Sequence, residues 1–184
     1  MKITSLGLTF ITNIGLNEAR KQKIAKEFEP EFPLNAEVNP GGFFAILKDM
    51  GTERIVLGLT DFTYFFDKPD ATPDFKQIGS SVQKVFNILM LDPPERGMCR
   101  ITALEPTPNT LALSLAGFQS AAAGKVAAKI GAQGVGLRFV IKDQVAWSEY
   151  KIEPNLNNPD ELYLERIAHI GKVGLDAMFE KMEE

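Results

Sequence analysis

Apolar residues occupy both the odd and the even positions of residues 43–66, which read FFAILKDMGTERIVLGLTDFTYFF. Alternating apolar and polar residues are typical of a half-buried strand, whereas apolar residues on both sides indicate a strand covered on both faces. A turn-forming sequence at 49–52, with a glycine able to adopt positive φ, divides the run. We predict a strand at 43–49, a hairpin turn, and a long strand at 53–66 with a bend near 60–61.

The aromatic residues of this run are the first candidates for a binding surface. One face of the long strand should pack against the helix that follows, and its other face needs a second layer, a partner chain or a ligand. We therefore predict a ligand or interface surface that contains Phe43, Phe62, Tyr64 and Phe66.

A helix with one apolar face is predicted at 73–91. The Thr72 hydroxyl can cap this helix, and Pro73 fits the first helical position, where no amide is needed. Asp92-Pro93-Pro94 ends it. Its apolar residues recur at spacings of three and four and are Phe75, Ile78, Val82, Val85, Phe86 and Leu89.

The same patterns predict the remaining elements. Asn17 should cap a helix at 18–29, because its side-chain oxygen can accept a hydrogen bond from an amide of the first turn. Prolines and glycines between 30 and 42 indicate a loop. The other predicted strands are 2–12, 97–105, 135–143, 144–153 and 161–168, and a closing helix reaches Glu184 with Leu175, Met178, Phe179 and Met182 on one face.

Residues 110–130 fit two structures. The leucines at 111–115 alternate as in a strand, whereas the longer apolar pattern fits a helix. The alanine content favours a helix, interrupted at one of its glycines and ended by Gly131. The choice between helix and strand at 110–117 stays open at this point.

The order of elements returns in the second half of the chain. Residues 1–92 and 93–184 each read β-α-β-β-(β)-α, and Ile46-Leu47-Lys48-Asp49 and Val140-Ile141-Lys142-Asp143 occupy matching places. Agreement in order, type and length favours internal duplication over an accidental match. Two such halves, paired edge to edge, predict an α+β fold in which a curved antiparallel sheet has helices packed on one face.

The segment from Thr52 to Arg100 resembles an uncharacterised, sporadically distributed prokaryotic family of unknown function. The features that carry the resemblance are Glu31-Phe32-Pro33, the strand at 53–66, the helix at 73–91, Arg96 with Arg100, and the closing Asp176-Ala-Met-Phe179-Glu180. The resemblance implies no activity.

The paired halves also resemble, in topology alone, the saddle of the TATA-box-binding-protein family. A shared fold does not carry a shared function. The net charge of -4 argues against sequence-independent binding of nucleic acid, which needs clustered Lys and Arg. We therefore expect no nucleic-acid partner.

Few residues offer catalytic or metal-binding chemistry. The chain has one histidine, His169, and one cysteine, Cys99, whereas zinc sites need several such ligands. No phosphate-binding loop or dinucleotide fingerprint is present. A catalytic Cys99–His169 pair and a structural role for both residues are alternatives, and the structural role is favoured. We expect no catalytic residue, metal or cofactor, and an enzyme is the less favoured class.

Four further residues complete the predicted surface. Arg96 and Arg100, together with Arg138, suggest an anion-binding patch, whereas solvation is the commoner role of charged strand residues. Trp147 and Tyr150 lie in one predicted strand and suggest an interface, because aromatic residues are enriched at interfaces. Packing within the sheet is the commoner alternative for both aromatic residues.

The sequence also bears on location. No apolar run reaches the ~18 residues that span a bilayer. Residues 1–16 alternate as a strand and lack the cleavage site of a signal peptide. One cysteine excludes an intrachain disulfide and fits a reducing cytosol. We expect a cytoplasmic protein without membrane contact.

Two functions fit these observations. The favoured hypothesis is a non-catalytic binding or assembly module of unknown function, most simply a homodimer, with an unknown protein or small-molecule partner. The alternative is a small-molecule-binding protein or enzyme with an apolar pocket on the sheet. The assembly hypothesis predicts that Phe62→Asp or Tyr64→Asp weakens self-association. A strand that its own chain covers completely would remove the basis of that hypothesis.

Overall fold

An open, curved antiparallel sheet runs through the protein. The computed structural model describes residues 1–38, 42–69, 71–118, 122–142, 146–171 and 179. The strands in these ranges are β1 (Lys2–Ile11), β2 (Leu34–Val38), β3 (Phe43–Lys48), β4 (Glu53–Leu57), β5 (Asp61–Phe66), β6 (Arg96–Pro106), β7 (Leu137–Lys142), β8 (Ala146–Pro154) and β9 (Glu161–Ile170). The α-helices are α1 (Glu18–Phe28), α2 (Phe75–Leu89), α3 (Thr110–Phe118) and α4 (Ala122–Lys129).

The strand order is β2-β3-β4-β5-β1-β6-β9-β8-β7. Outward from the central β1–β6 pair, β5, β4 and β3 on one side correspond in chain order to β9, β8 and β7 on the other. Among the described residues, β2 extends the first side and the second side ends at β7. The α+β class with an antiparallel sheet is confirmed, and duplication with a boundary at 92/93 stays a prediction.

The predicted long strand at 53–66 is two antiparallel strands, β4 and β5. Leu57 lies directly opposite Phe62 across the turn, so the odd residues of β4 and the even residues of β5 face the same side. Ile55 and Tyr64, also buried, follow this rule. The run is therefore two strands with one buried face each, and the prediction of a strand covered on both faces is wrong.

The loop predicted between 30 and 42 contains a strand, β2. Its sequence, LNAEV, has weak alternation and exposed side chains from 34 to 37. Backbone pairing with β3, in which Ala36 lies opposite Ala45, holds it in the sheet. Tertiary pairing rather than local propensity forms this strand, so the local sequence did not indicate it.

The helix caps agree in part with the predictions. The Asn17 side chain caps α1 as predicted, because its Oδ1 accepts a hydrogen bond from the Arg20 amide at 3.0 Å. The cap of α2 is Asp74 and not Thr72, since Asp74 Oδ1 accepts hydrogen bonds from two amides of the first turn at 3.0 and 3.1 Å. A carboxylate at this position also interacts favourably with the helix dipole.

The ambiguous stretch at 110–130 contains two helices, α3 and α4, in its described residues, so helix is the correct choice at 110–117. Gly131 follows α4 with φ of +70°. The amide of Ala132 donates a hydrogen bond to the Ala127 carbonyl at 2.9 Å. This is the cap in which a left-handed residue, usually glycine, ends a helix, and it confirms the predicted stop at Gly131.

The core lies between one face of the sheet and helices α1 and α2. The Phe10 ring stacks on Phe62 with centroids 4.9 Å apart, and Phe86 of α2 meets both rings at an angle. Burial of each such ring contributes about 1.5–3 kcal/mol. The closing helix lies outside the described residues except for Phe179, whose ring packs on the core beside Gly79.

The four-residue match between the halves is not a structural equivalence. Ile46 is buried on the side of the sheet that faces the helices. Pairing through β8 and β9 places Ile141 on that same side, so Val140 points to the opposite side. Ile46 and Val140 therefore face opposite sides of the sheet.

Candidate functional site

The two faces of the sheet are chemically different. The helix face, on which α1 and α2 pack, carries Leu8 and Cys99, which lie opposite each other in β1 and β6. The open face is the other side and carries Arg100 of β6 and Trp147 of β8. Each predicted site residue belongs to one of these faces.

Three of the predicted aromatic residues belong to the core. Phe62 and Tyr64 have no exposed surface, and Phe66 is 6% exposed, all on the helix face. A side chain without exposed surface cannot contact a partner while the fold is intact. These three residues are therefore excluded from the candidate binding surface. Phe43 stays partly exposed at the far side of the first half.

Tyr64 has a polar partner that the sequence did not indicate. Its hydroxyl donates a hydrogen bond to Oε1 of buried Glu53, whose Oε2 lies 3.0 Å from Lys68 Nζ and 3.4 Å from Lys48 Nζ. Burial alone would raise the pKa of the Glu53 carboxyl, but the hydrogen bonds from Tyr64 and Lys68 outweigh burial and lower it. Burial and the Glu53 carboxylate raise the pKa of Tyr64. This paired charge joins β4 to β5.

The predicted arginine patch is divided. Arg96 and Arg100 both lie on the open face of β6, four residues and therefore about 13 Å apart along the strand. Arg100 Nε donates a hydrogen bond to Glu165 Oε1 of β9 at 2.6 Å. The acidic neighbour neutralises Arg100, so the two arginines do not form one anion site.

The predicted aromatic pair on β8 is also divided. The Trp147 ring stacks on His169 on the open face, with centroids 3.8 Å apart and planes 10° apart. Tyr150 lies on the helix face, where Arg166 Cζ is 5.6 Å from its ring centroid. Strand alternation separates Trp147 from Tyr150, so they do not share one surface.

Cys99 and His169 do not form a catalytic pair. Cys99 lies opposite Ala168 on the helix face, and His169 is on the open face. Burial raises the pKa of the Cys99 thiol to about 12, so it stays protonated at neutral pH. The structural role of both residues is the one that the geometry supports.

A cavity of about 510 Å³ lies on the helix face where β6, β8 and β9 meet the start of α2. Tyr150 and Arg166 border this cavity. The rest of its wall is mainly apolar and includes Ile3, Phe75, Ile101, Ala103, Ile152 and Leu164. This cavity lies in the second half of the sheet, whereas Phe62 is fully buried in the core of the first half.

Strand β7 is an exposed apolar edge. All six of its residues are exposed. Phe139 and Ile141 on the helix face are 47% and 60% exposed, and Val140 on the open face is 61% exposed. In the part of the chain that the structure describes, β7 pairs with β8 alone. Free backbone groups next to exposed apolar side chains favour pairing with a further strand.

Two kinds of feature are absent from the described residues, a metal-ligand cluster and a membrane-spanning helix. Within the ranges that the structure describes, no group of His, Cys, Asp and Glu could hold a metal ion. The helices in those same ranges include none that is long and apolar enough to cross a membrane.

The comparisons with known proteins give similarities of structure alone. No family model matches the chain, and no curated protein matches it. The chain is similar in structure to Methanococcus jannaschii TBP, with 7% sequence identity, a TM-score of 0.39, and coverage of 99% of this chain and 94% of that chain. We infer no ligand or activity from a similarity at this level. The resemblance to an uncharacterised prokaryotic family stays a prediction.

Proposed function

We propose that this protein is a non-catalytic assembly module that forms a homodimer through its edge strand β7. The observation that supports the proposal is the exposure of Phe139, Val140 and Ile141 on both faces of an edge strand. A strand from a second copy would bind the free backbone groups and cover these side chains. The sequence-based argument for assembly was an apolar face on the predicted strand at 53–66 that needs a cover, and the exposed edge strand β7 takes its place.

The first side of the sheet shows how such a strand is covered within one chain. Counted outward from β1 and β6, β3 is the counterpart of β7. Strand β2 pairs with the outer edge of β3, and Phe44, Ala45 and Ile46 are buried there. The second copy takes the place beside β7 that β2 takes beside β3.

The charges of β7 select one register for this pairing. In an antiparallel pair on a two-fold axis, the copies of one central residue face each other, either Phe139 or Val140. A pair centred on Val140 puts Arg138 of each copy opposite Lys142 of the other, and like charges in that position repel. A pair centred on Phe139 puts Arg138 opposite Val140 instead. We propose the register centred on Phe139.

The other edge of the sheet is less suited to pairing. Pro33 precedes β2, and Glu37 within it forms an ion pair with Lys21 at 2.6 Å. Proline and charged residues are the usual means by which proteins protect an edge strand. Pro33 and the ion-paired Glu37 therefore make β2 the less suited edge, whereas the exposed apolar side chains of β7 favour pairing there.

Analytical ultracentrifugation of the purified chain tests the proposal. We expect the wild type to sediment with twice the 20.3 kDa mass of one chain and Phe139→Lys to sediment as a monomer. Leu34→Lys, at a similarly exposed apolar site on β2, is the matched control and should stay dimeric. A monomeric wild type, or a dimeric Phe139→Lys variant that is folded by circular dichroism, would contradict the proposal.

A further inference from the structure

We propose that the cavity on the helix face, between β6, β8, β9 and the start of α2, binds a small neutral aliphatic molecule. The proposal assigns a ligand class to a part of the molecule that has no other role in the account above. The cavity is separate from the outer edge of β7, so the proposal does not rest on the dimer.

The apolar face of the sheet is incompletely covered at this cavity. On β1, Leu6 and Leu8 of the helix face are 1% and 0% exposed. Ile3 lies on the same face, opposite Ala103, because a shift of register between residues 3 and 5 interrupts the alternation of β1. Ile3 and Ile101 of β6 stay partly exposed where they border the cavity. Because removal of such surface from water is favourable, this region favours an apolar ligand.

The size and lining of the cavity fit a small molecule. Its volume of about 510 Å³ lies within the ~300–1,000 Å³ of typical small-molecule sites, which are mostly apolar. Aliphatic side chains are the largest group in its wall and comprise Ile3, Ile101, Ala103, Ile152 and Leu164. Phe75, at the start of α2, adds an aromatic ring. The wall therefore offers many dispersion contacts to a hydrocarbon chain.

Two of the charged groups at the border of the cavity form ion pairs with glutamates of the chain. The amino group of Met1 pairs with the carboxylate of Glu105. The Lys151 Nζ lies 2.9 Å from Glu153 Oε1. Both positive charges are therefore already neutralised within the chain.

The other two charged groups at the border are also engaged. Glu165 Oε1 accepts a hydrogen bond from Arg100 Nε at 2.6 Å on the open face. The Arg166 guanidinium lies 5.6 Å from the ring centroid of Tyr150 and takes part in a further interaction within the chain. All four charged groups that border the cavity therefore have partners in the protein itself.

This pairing selects a neutral ligand. A charged group that leaves water needs an opposite charge or hydrogen bonds as compensation. The charged groups at the border are engaged within the chain, so a ligand charge gains little from them. A neutral aliphatic molecule gains from contact with the wall without the cost of removing a charge from water.

Isothermal titration calorimetry at neutral pH with octan-1-ol, octanoate and octylammonium tests the proposal. The three ligands have the same hydrocarbon chain, and their heads are neutral, negative and positive. We expect one octan-1-ol per chain and at least about tenfold weaker binding of both ions, because neither ion recovers the hydration that its head loses. The two ions together distinguish a preference for neutral ligands from attraction to one sign of charge.

Substitutions in the wall locate the binding site. Ala103→Phe, which fills the cavity, should weaken octan-1-ol binding by about tenfold or more. If Ala103→Phe does not fold, Ile3→Phe at another part of the wall carries the same expectation. Leu113 of α3 lines a second cavity of about 260 Å³, so Leu113→Phe is the matched control and should leave the affinity unchanged.

Methyl NMR of the wild type locates the ligand without any substitution. Octan-1-ol should shift the methyl signals of Ile3 and Ile101 and leave those of Leu113 unchanged. Absence of saturable octan-1-ol binding, or binding of either ion as tight as that of octan-1-ol, would overturn the proposal. Unchanged octan-1-ol affinity in a folded cavity-filling variant, or methyl shifts at Leu113 alone, would overturn it as well.

Discussion

The hydroxyl of Tyr64 donates a hydrogen bond to the carboxylate of Glu53, which is buried in the position where β4 would otherwise carry another apolar residue. The carboxylate is also held by Lys68 and Lys48. A buried charge with several partners is satisfied, whereas the loss of one partner leaves it under-solvated. Tyr64 therefore has a structural role, because its hydroxyl stabilises the buried Glu53 carboxylate.

We predict that Tyr64→Phe lowers the free energy of unfolding by about 1.5–3 kcal/mol, the usual contribution of a hydrogen bond to a charged group. Urea unfolding followed by circular dichroism measures this change. Tyr163→Phe, on the partly exposed open face, is the matched control and should lose less than about 1 kcal/mol. Equal losses in the two variants would mean that the buried hydrogen bond has no special weight.

Glu53 should also make the protein sensitive to acid. Because its pKa is below the ordinary 4.5 in the folded protein, folding favours the charged carboxylate. Its stabilising contribution is present above pH 4.5, the ordinary pKa of the unfolded chain. That contribution is lost as the pH falls through the lower pKa of the folded protein. Glu53→Gln should be less stable at neutral pH and should lose less further stability on acidification.

Urea midpoints across this acidic range measure the effect. Glu29→Gln, at an exposed position just after α1, is the control and should keep the acid dependence of the wild type. The same acid dependence in Glu53→Gln as in the wild type would contradict a lowered pKa at Glu53.

Substitutions at Phe62 and Phe139 should affect different properties. A change at Phe62 should lower the stability of the fold, and a change at Phe139 should lower the affinity of the dimer. Phe62 stacks on Phe10 in the core, so Phe62→Ala should lower the free energy of unfolding by about 3–5 kcal/mol. Phe139→Ala should lower dimer affinity with little effect on the unfolding of the isolated chain, since its ring is half exposed. Unfolding and sedimentation, each measured on both variants, separate the two roles. A Phe62→Ala variant with wild-type stability and a weakened dimer would contradict the assignment of Phe62 to the core.

We also predict that the open face does not bind duplex DNA. The net charge is -4, and Arg100 is neutralised by Glu165. Nonspecific DNA binding depends on unpaired Lys and Arg that displace counterions, so it should be strongest at low salt. Fluorescence anisotropy with a labelled duplex at low salt should show no binding, and a salt-sensitive rise in anisotropy would refute this expectation.

Most elements of the fold could be predicted from the sequence, because periodicity and caps are local signals. The bounds of α2 and β1 agree closely, and Gly131 ends α4 as expected. The failures required knowledge of distant pairing. Strand β2 depends on its pairing with β3. The turn between β4 and β5 explains why the run at 53–66 has apolar residues at both odd and even positions.

The candidate site is harder to predict, because residues that are close in sequence can point to opposite faces of a strand. Trp147 and Tyr150 are three residues apart and therefore lie on opposite faces. A usable signal was present in two strands, where a charge occupies the apolar register. Glu53 precedes Ile55 in β4, and Arg166 follows Leu164 in β9. Such residues mark places where the surrounding structure supplies a partner for a buried charge.

The register of the β7 pair gives the most direct test of the dimer. Opposite Cα atoms of an antiparallel pair are about 4.5–5.5 Å apart, which suits the ~4.4–6.8 Å of a disulfide. In the register centred on Phe139, a cysteine at 139 meets its own copy, whereas cysteines at 140 are about 8 Å apart. The native Cys99 is 2% exposed and should not interfere.

Disulfide formation under mild oxidation is therefore the decisive measurement. The account predicts that Phe139→Cys becomes a covalent dimer on a non-reducing gel at protein concentrations where Val140→Cys stays a monomer. A covalent dimer of Val140→Cys but not of Phe139→Cys, or no covalent dimer of either variant, would contradict assembly through β7 in the proposed register.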